Sequence, residues 1–152
     1  MTPTAEDQTV ELNDLCRDLD DLTLRQIDCV EEQLILLKKL EAEMASGFIN
    51  LAKSRYIAGE KSVSMLQVPS DDSEVEAKLT VREDDENKWQ LIKNENGTDA
   101  KKWFGVLVTS SLRQSQLSFQ KALELIIAIL NTRKEWLEAT NEYKQKVTSK
   151  AT

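Results

Sequence analysis

The sequence has 152 residues, of which 31% are charged and 5% aromatic, and its formal net charge is −7. This length fits a single domain, residues 1–152, and the few aromatic side chains favour long amphipathic helices over a compact globule. The lack of histidine excludes Ser-His-Asp and Cys-His nucleophiles. The negative net charge disfavours binding to nucleic acid and flat adsorption onto anionic lipid. We therefore expect a protein that is not an enzyme and that binds no cofactor, metal or nucleic acid.

The chain begins with a polar, acidic stretch. Residues 1–11 lack the basic and apolar regions of a signal peptide, and the longest apolar runs, 34–37 and 125–130, are too short to span a bilayer. Cys16 and Cys29 lie too far apart on one helix to bridge each other, so two free thiols are predicted. These features predict a protein without a transmembrane segment in a reducing compartment.

The first predicted helix covers residues 9–58. Its leucines follow the 3-4-3 spacing of a coiled-coil seam up to Leu22. The apolar pattern then continues through Gln26 to Val30 and Leu34 in steps of four, which predicts a local stutter in the seam. Gly59 is the expected residue type just past a helix C-terminus.

An insert without helical periodicity follows, residues 59–108. Ser70–Ser73 has turn composition, and the alternation between Val75 and Val81 predicts a strand. Trp89 and Leu91 are its expected partner across an acidic turn, the alternative being a mobile loop. The apolar run 103–108 predicts a further short strand.

The second predicted helix covers residues 109–149, and Ser111 with Gln114 has the form of a capping box at its start. Residues 1–50 carry 12 acidic and 4 basic residues, whereas residues 100–152 carry 4 acidic and 9 basic residues. Opposite charges favour pairing of the two helices. The predicted fold is mainly α: two long helices forming an antiparallel coiled-coil hairpin with a short β/loop insert. The predicted helix seam comprises Leu15, Leu19, Leu22, Leu34, Leu37, Leu123, Ile126 and Leu130.

Two stretches combine basic and aromatic residues, at 49–63 and 103–114. Antiparallel helices would bring them to one end of the molecule, where aromatic and arginine side chains favour a partner-binding surface. Two other interpretations stay open: basic residues that complement the helix dipole, and aromatic residues that close the core. We call this predicted surface the motif pole; it comprises Lys53, Arg55, Tyr56, Lys61, Trp103, Phe104, Arg113 and Gln114.

The same two stretches carry a family resemblance. The strings INLAKSRYIAGEKSV at 49–63 and WFGVLVTSSLRQSQLSFQKALEL at 103–125 resemble signature stretches of assembly factors of the vacuolar-type proton ATPase (V-ATPase) that are similar to coiled-coil domain-containing protein 115. The layout of an acidic leading helix, a variable middle, the motif and a trailing helix is similar as well. Residues 67–100 show no clear resemblance.

The resemblance implies a non-catalytic, chaperone-like role in assembling the membrane-embedded, proton-translocating sector of the V-ATPase. It implies two kinds of partner, a small transmembrane assembly factor and unassembled membrane-sector subunits, with membrane contact made indirectly through the partner. The implied location is the cytosolic face of the endoplasmic reticulum (ER), the ER-Golgi intermediate compartment and early Golgi membranes. The alternative function is a structural coiled-coil scaffold or tether that homo-oligomerises.

Overall fold

The computed structural model describes residues 5–59, 61–69 and 75–149, with side chains from residue 9 onwards. The prediction of a mainly helical chain with a small antiparallel strand pair between two helices is confirmed. The turn predicted at 70–73 lies outside the described residues. In chain order the elements are α1 (Ala5–Ala58), a 3₁₀ helix (Met65–Gln67), β1 (Leu79–Glu83), β2 (Trp89–Lys93), a second 3₁₀ helix (Ala100–Phe104) and α2 (Ser110–Ser149).

Local chemistry fixes the facing ends of the two long helices. α1 ends before Gly59, which adopts φ +86° and accepts a hydrogen bond from the Ser62 amide at 3.0 Å. At the start of α2, Thr109 Oγ1 accepts a hydrogen bond from the Leu112 amide at 3.2 Å. The predicted capping box at Ser111 is therefore wrong, because Thr109 satisfies the helix N-terminus and Ser111 is already inside the helix and buried.

The chain divides into two compact units. The terminal unit contains residues up to Ile35 and from Leu130 onwards, and the central unit contains Leu36–Ile129. In the terminal unit, Leu22, Cys29 and Ala139 are buried, and Lys146 pairs with Asp18.

The stutter predicted in the first helix does not occur. Cys29 is 6% exposed, whereas Val30 and Leu34 are 45% and 57% exposed. The less exposed positions instead keep a regular spacing of four and three residues, and several of them carry polar or small side chains. The buried or half-buried positions of α1 in this unit are Leu15, Leu19, Leu22, Gln26, Cys29 and Gln33.

Within the central unit α1 and α2 run antiparallel, since partners with rising numbers on α1 have falling numbers on α2. The contact is made largely by small and hydroxylated side chains. A Cβ atom added at Gly47 would lie 2.8 Å from the Phe119 ring, so glycine permits the close approach there. The pairs are Glu43 with Lys121 at 3.7 Å, the Gly47 carbonyl with Ser115 Oγ at 2.8 Å, and Ser54 with Thr109 at 2.7 Å between hydroxyl oxygens.

Because small residues fill this contact, larger apolar side chains lie beside it. Each of them directly follows a buried or half-buried residue in sequence, and in antiparallel helices such positions fall on one side of the pair. The rings of Phe48 and Phe119 meet there edge to face, with centroids 5.2 Å apart. We call this surface of the central unit the apolar face; its members are Leu37, Phe48, Phe119, Leu123 and Ile126.

Three predicted seam residues, Leu37, Leu123 and Ile126, thus belong to the apolar face, and their place in a helix seam stays a prediction. All three are exposed. The predicted stripe follows the largest apolar side chains, whereas the hydrogen bonds between the helices here come from the small residues Ser115 and Ser118. In the terminal unit, Leu130 is likewise exposed.

The insert contains the predicted strand pair, with Leu79 opposite Lys93 and Glu83 opposite Trp89. The further strand predicted at 103–108 is wrong. Asp99 caps a 3₁₀ helix at Ala100–Phe104 instead, and Gly105 ends it with φ +108°, a conformation that glycine adopts without strain.

Candidate partner-binding surfaces

The two stretches of the motif pole lie side by side in the central unit. The Ser54 and Thr109 hydroxyls, one from each stretch, are 2.7 Å apart, and Ser54 is fully buried. Arg55 Nε donates a hydrogen bond to the Val63 carbonyl at 3.2 Å, which holds the chain after α1 against the helix. Two residues that are 55 positions apart in sequence are thus in direct contact.

The predicted residues of the motif pole differ in burial. Trp103 and Phe104 are half-buried, and both line an apolar cavity. Arg113 lines a separate cavity together with Lys102 and Val106. Their function stays a prediction. The exposed members are Lys53, Arg55, Tyr56, Lys61, Arg113 and Gln114.

The apolar cavity has a volume of about 400 Å³ and lies between the insert and the helices of the central unit. Phe119 and Leu123 belong both to its wall and to the apolar face, so the two surfaces are continuous. A cavity of this size and character suits one or two large apolar side chains of a binding partner. Other apolar residues of its wall are Leu51, Val75, Leu79 and Trp103.

Asp99 joins the insert to α2 at the edge of this cavity. Its Oδ1 accepts hydrogen bonds from Gln116 Nε2 at 2.9 Å and from the Lys101 amide at 3.1 Å. Its Oδ2 lies 3.3 Å from Lys78 Nζ and 3.4 Å from Lys101 Nζ. Burial by itself would raise the pKa of Asp99, but the hydrogen bonds and the two ammonium groups hold the pKa well below its ordinary value.

The two cysteines are free, as predicted. Cys16 is exposed and Cys29 is buried. Burial, reinforced by the negative charge of Glu135, raises the pKa of the Cys29 thiol, so that thiol is the less reactive of the two.

The described ranges lack two other kinds of feature, a metal site and a membrane-spanning helix. Across residues 5–59, 61–69 and 75–149, no three cysteine or carboxylate side chains come together as a possible metal site. In the same part of the chain, neither long helix has a stretch that is both long and apolar enough to cross a membrane.

Sequence reasoning missed the connection between Asp99 and Gln116 and the exposure of Leu66 and Leu107. The first contact joins residues that are 17 positions apart on different elements, and no local sequence pattern predicts it. The second concerns apolar residues in loops. For Leu107, the only signal was Gly105, since a glycine at a sharp turn inside an apolar run argues against a strand.

Taken together, the chain is a mainly helical protein with a broad exposed apolar surface and a basic helix end, features typical of protein-binding modules. No family model matches the sequence. The chain is 31% identical to the vacuolar ATPase assembly protein VMA22 of Mus musculus, with 80% of the chain and 86% of that protein covered. It is also 31% identical to the Homo sapiens protein of that name, with 81% and 87% covered. The chain belongs to the family of vacuolar ATPase assembly protein VMA22.

Proposed function

We propose that this chain is a non-catalytic assembly factor for the membrane-embedded, proton-translocating sector of the V-ATPase. The observation that carries the proposal is its similarity, over four fifths of its length, to relatives named vacuolar ATPase assembly proteins. The proposed partners are a small transmembrane assembly factor and unassembled membrane-sector subunits. The proposed site of action is the cytosolic face of the ER and early Golgi membranes.

The apolar face of the central unit is the proposed binding site for a partner helix. Two antiparallel helices with large apolar side chains along one side leave a groove that a third helix fills. Burying one such leucine or isoleucine completely contributes about 1.5–3 kcal/mol to binding. Leu37, Leu123 and Ile126 are the predicted seam residues that take this role. The heptad spacing of the less exposed positions supports coiled-coil packing of α1 against α2 as part of the same proposal.

The motif pole is the proposed second contact with a partner. Its exposed Arg55 and Arg113 offer charge-assisted hydrogen bonds to carboxylates, and the adjoining apolar cavity accepts a large side chain. A release step is part of the proposal as well, because an assembly factor must be absent from the finished pump.

The test is affinity purification of the tagged chain from gently solubilised membranes, with the co-purifying proteins identified. We expect a small transmembrane protein and membrane-sector subunits, without the cytosolic catalytic sector. Recovery of the chain alone as a homo-oligomer, or of the fully assembled pump, would instead favour the scaffold function.

Substitutions locate the contact. Leu123→Glu with Ile126→Glu should abolish recovery of the partner, because two carboxylates would enter the proposed apolar contact. The matched control is Leu117→Glu, an exposed leucine that precedes the contact residue Ser118 and so lies on the opposite flank of α2. Equal recovery with the double variant and the control would contradict binding at the apolar face.

The motif pole has a separate test. Reversing the charge of both Arg55 and Arg113 should weaken recovery of at least one partner. Lys144→Glu, an exposed change of the same kind in the terminal unit, serves as the control. If the double variant recovers every partner at the wild-type level, the motif pole does not bind them.

A further inference from the structure

Two short loops near the end of α1 expose aliphatic side chains almost completely. On the first loop, which includes the 3₁₀ helix Met65–Gln67, Met65 and Leu66 are 80% and 94% exposed. On the second, Val106 and Leu107 are 98% and 93% exposed. We call these four residues the aliphatic tips. Single exposed aliphatic residues are common, but four of them on neighbouring loops form a patch that requires an explanation.

The two loops lie beside each other at the end of α1. Val63, which precedes the first tips, and Leu107 line one cavity of about 240 Å³ together with Ser54 and Ala58 of α1. The hydrogen bond from Arg55 to the Val63 carbonyl fixes the first loop to α1. The pairing of Ser54 with Thr109 fixes the second loop to the same helix. The aliphatic tips are therefore held on anchored loops of the central unit.

Basic side chains surround the second loop. Lys102 and Arg113 line a cavity of about 570 Å³ together with Gly105 and Val106. The acidic residue at this cavity, Asp99, is already engaged by Lys78 and Lys101. Within the described part of the chain, no carboxylate forms an ion pair with Lys102 or Arg113.

The local charge opposes the charge of the whole chain. Residues 53–69 and 99–113 contain six basic and two acidic residues, whereas the net charge of the chain is −7. Electrostatic attraction to a charged surface is screened within about 8 Å at physiological ionic strength, so the charges nearest that surface dominate. The acidic composition of the whole chain therefore does not prevent this end of α1 from approaching an anionic surface.

We propose that the aliphatic tips, with Lys102 and Arg113, form a direct contact with an anionic phospholipid membrane. Protruding aliphatic side chains fit a deformable lipid interface without any matching pocket, and basic side chains beside them attract anionic headgroups. The contact adds to membrane attachment through a protein partner and does not depend on the proposed assembly function. Each contact alone is weak, and stable attachment to a membrane usually requires two.

The first experiment is flotation of the full chain with vesicles of phosphatidylcholine alone or with about one third phosphatidylserine. We expect binding to the anionic vesicles only, weakened by salt. Val106→Asp with Leu107→Asp should abolish it, because charged side chains cannot enter the interface. Lys102→Gln should weaken it about fivefold, as expected for the loss of one basic charge near an anionic surface. The matched controls, Leu117→Asp and Lys144→Gln, should bind like the wild type.

A second readout reports insertion itself. Val106→Cys in a Cys16→Ser background is labelled with an environment-sensitive fluorophore, while Cys29 is protected by burial. The emission should shift to the blue with anionic vesicles. The same label on Cys16 of the otherwise unchanged chain, an exposed site in the terminal unit, should show no shift.

Three results would overturn the proposal. The first is absence of flotation with anionic vesicles. The second is unchanged flotation of the variant with both Val106→Asp and Leu107→Asp. The third is loss of co-purifying protein partners in that variant without any change in vesicle binding, which would assign the aliphatic tips to a protein contact.

Discussion

Replacing Asp99 with alanine is the sharpest test of how the insert is joined to the helices. The substitution removes the acceptor for Gln116 on α2, the cap of the second 3₁₀ helix and the pairing with Lys78 and Lys101. A hydrogen bond to a charged group contributes about 1.5–3 kcal/mol, and a partly exposed ion pair about 0–1 kcal/mol. Because these interactions share one carboxylate and are not additive, we expect a total loss of about 2–4 kcal/mol.

Thermal unfolding followed by circular dichroism measures this loss. For a chain of this length, 1 kcal/mol corresponds to about 2–4 °C, so Tm should fall by about 5–15 °C. Relative to the wild type, the substitution should accelerate amide hydrogen exchange more in β1 and β2 than in either long helix. Asp85→Ala, an exposed substitution in the β-turn, is the control and should leave Tm unchanged. A variant at Asp99 within about 0.5 kcal/mol of the wild type would refute the reasoning.

The charge of Asp99 can be tested separately by pH. Since the folded state lowers the pKa of this carboxyl below the ordinary 3.8, its stabilising contribution is complete above that value and is lost as the pH falls below it. Asp99→Asn removes the titrating group, so the variant should be less stable than the wild type at neutral pH. The difference should shrink below about pH 4, and an unchanged difference down to pH 2 would contradict the assignment.

Three further predictions concern other sites. Thr109→Ala should cost about 2–4 kcal/mol in a denaturant titration, since it removes a helix cap and leaves the buried Ser54 hydroxyl unpaired, whereas Thr109→Ser should retain most of the stability. Gly97→Ala should accelerate amide exchange in β1 and β2, because a Cβ there would lie 2.4 Å from a backbone carbon; unchanged exchange would contradict this contact. Iodoacetamide should modify Cys16 well before Cys29 in the native protein, and equal rates, measured by mass spectrometry, would contradict the burial of Cys29.

The helical part of the fold could be predicted because its signals are local. Long stretches free of proline, a glycine after α1 and a change to alternating periodicity in the insert identify the main elements. The face that each helix buries could not be predicted in the same way. Large apolar residues such as Leu34 and Ile126 dominate the sequence pattern. The buried positions instead include Cys29, Ser115 and Ser118, and their burial depends on what the helix packs against.

The candidate site was only partly accessible to sequence reasoning. The two stretches of the motif pole are recognisable by their composition, and antiparallel helices predict that they meet. The aliphatic tips are not recognisable, because Val106 and Leu107 have the same composition as a buried strand. Only Gly105, which ends the second 3₁₀ helix with a positive φ, distinguishes the exposed segment from a buried strand.

The hydroxyl-rich contact between α1 and α2 in the central unit has a consequence for the lifetime of the protein in cells. Serine and glycine bury little apolar area, so this contact contributes little to the free energy of unfolding. The larger apolar side chains contribute to stability only when a partner covers them. A partner at one hundred times its Kd would stabilise the chain by about 2.7 kcal/mol through mass action. We therefore expect steady-state abundance to follow the supply of partner, with orphan molecules degraded first.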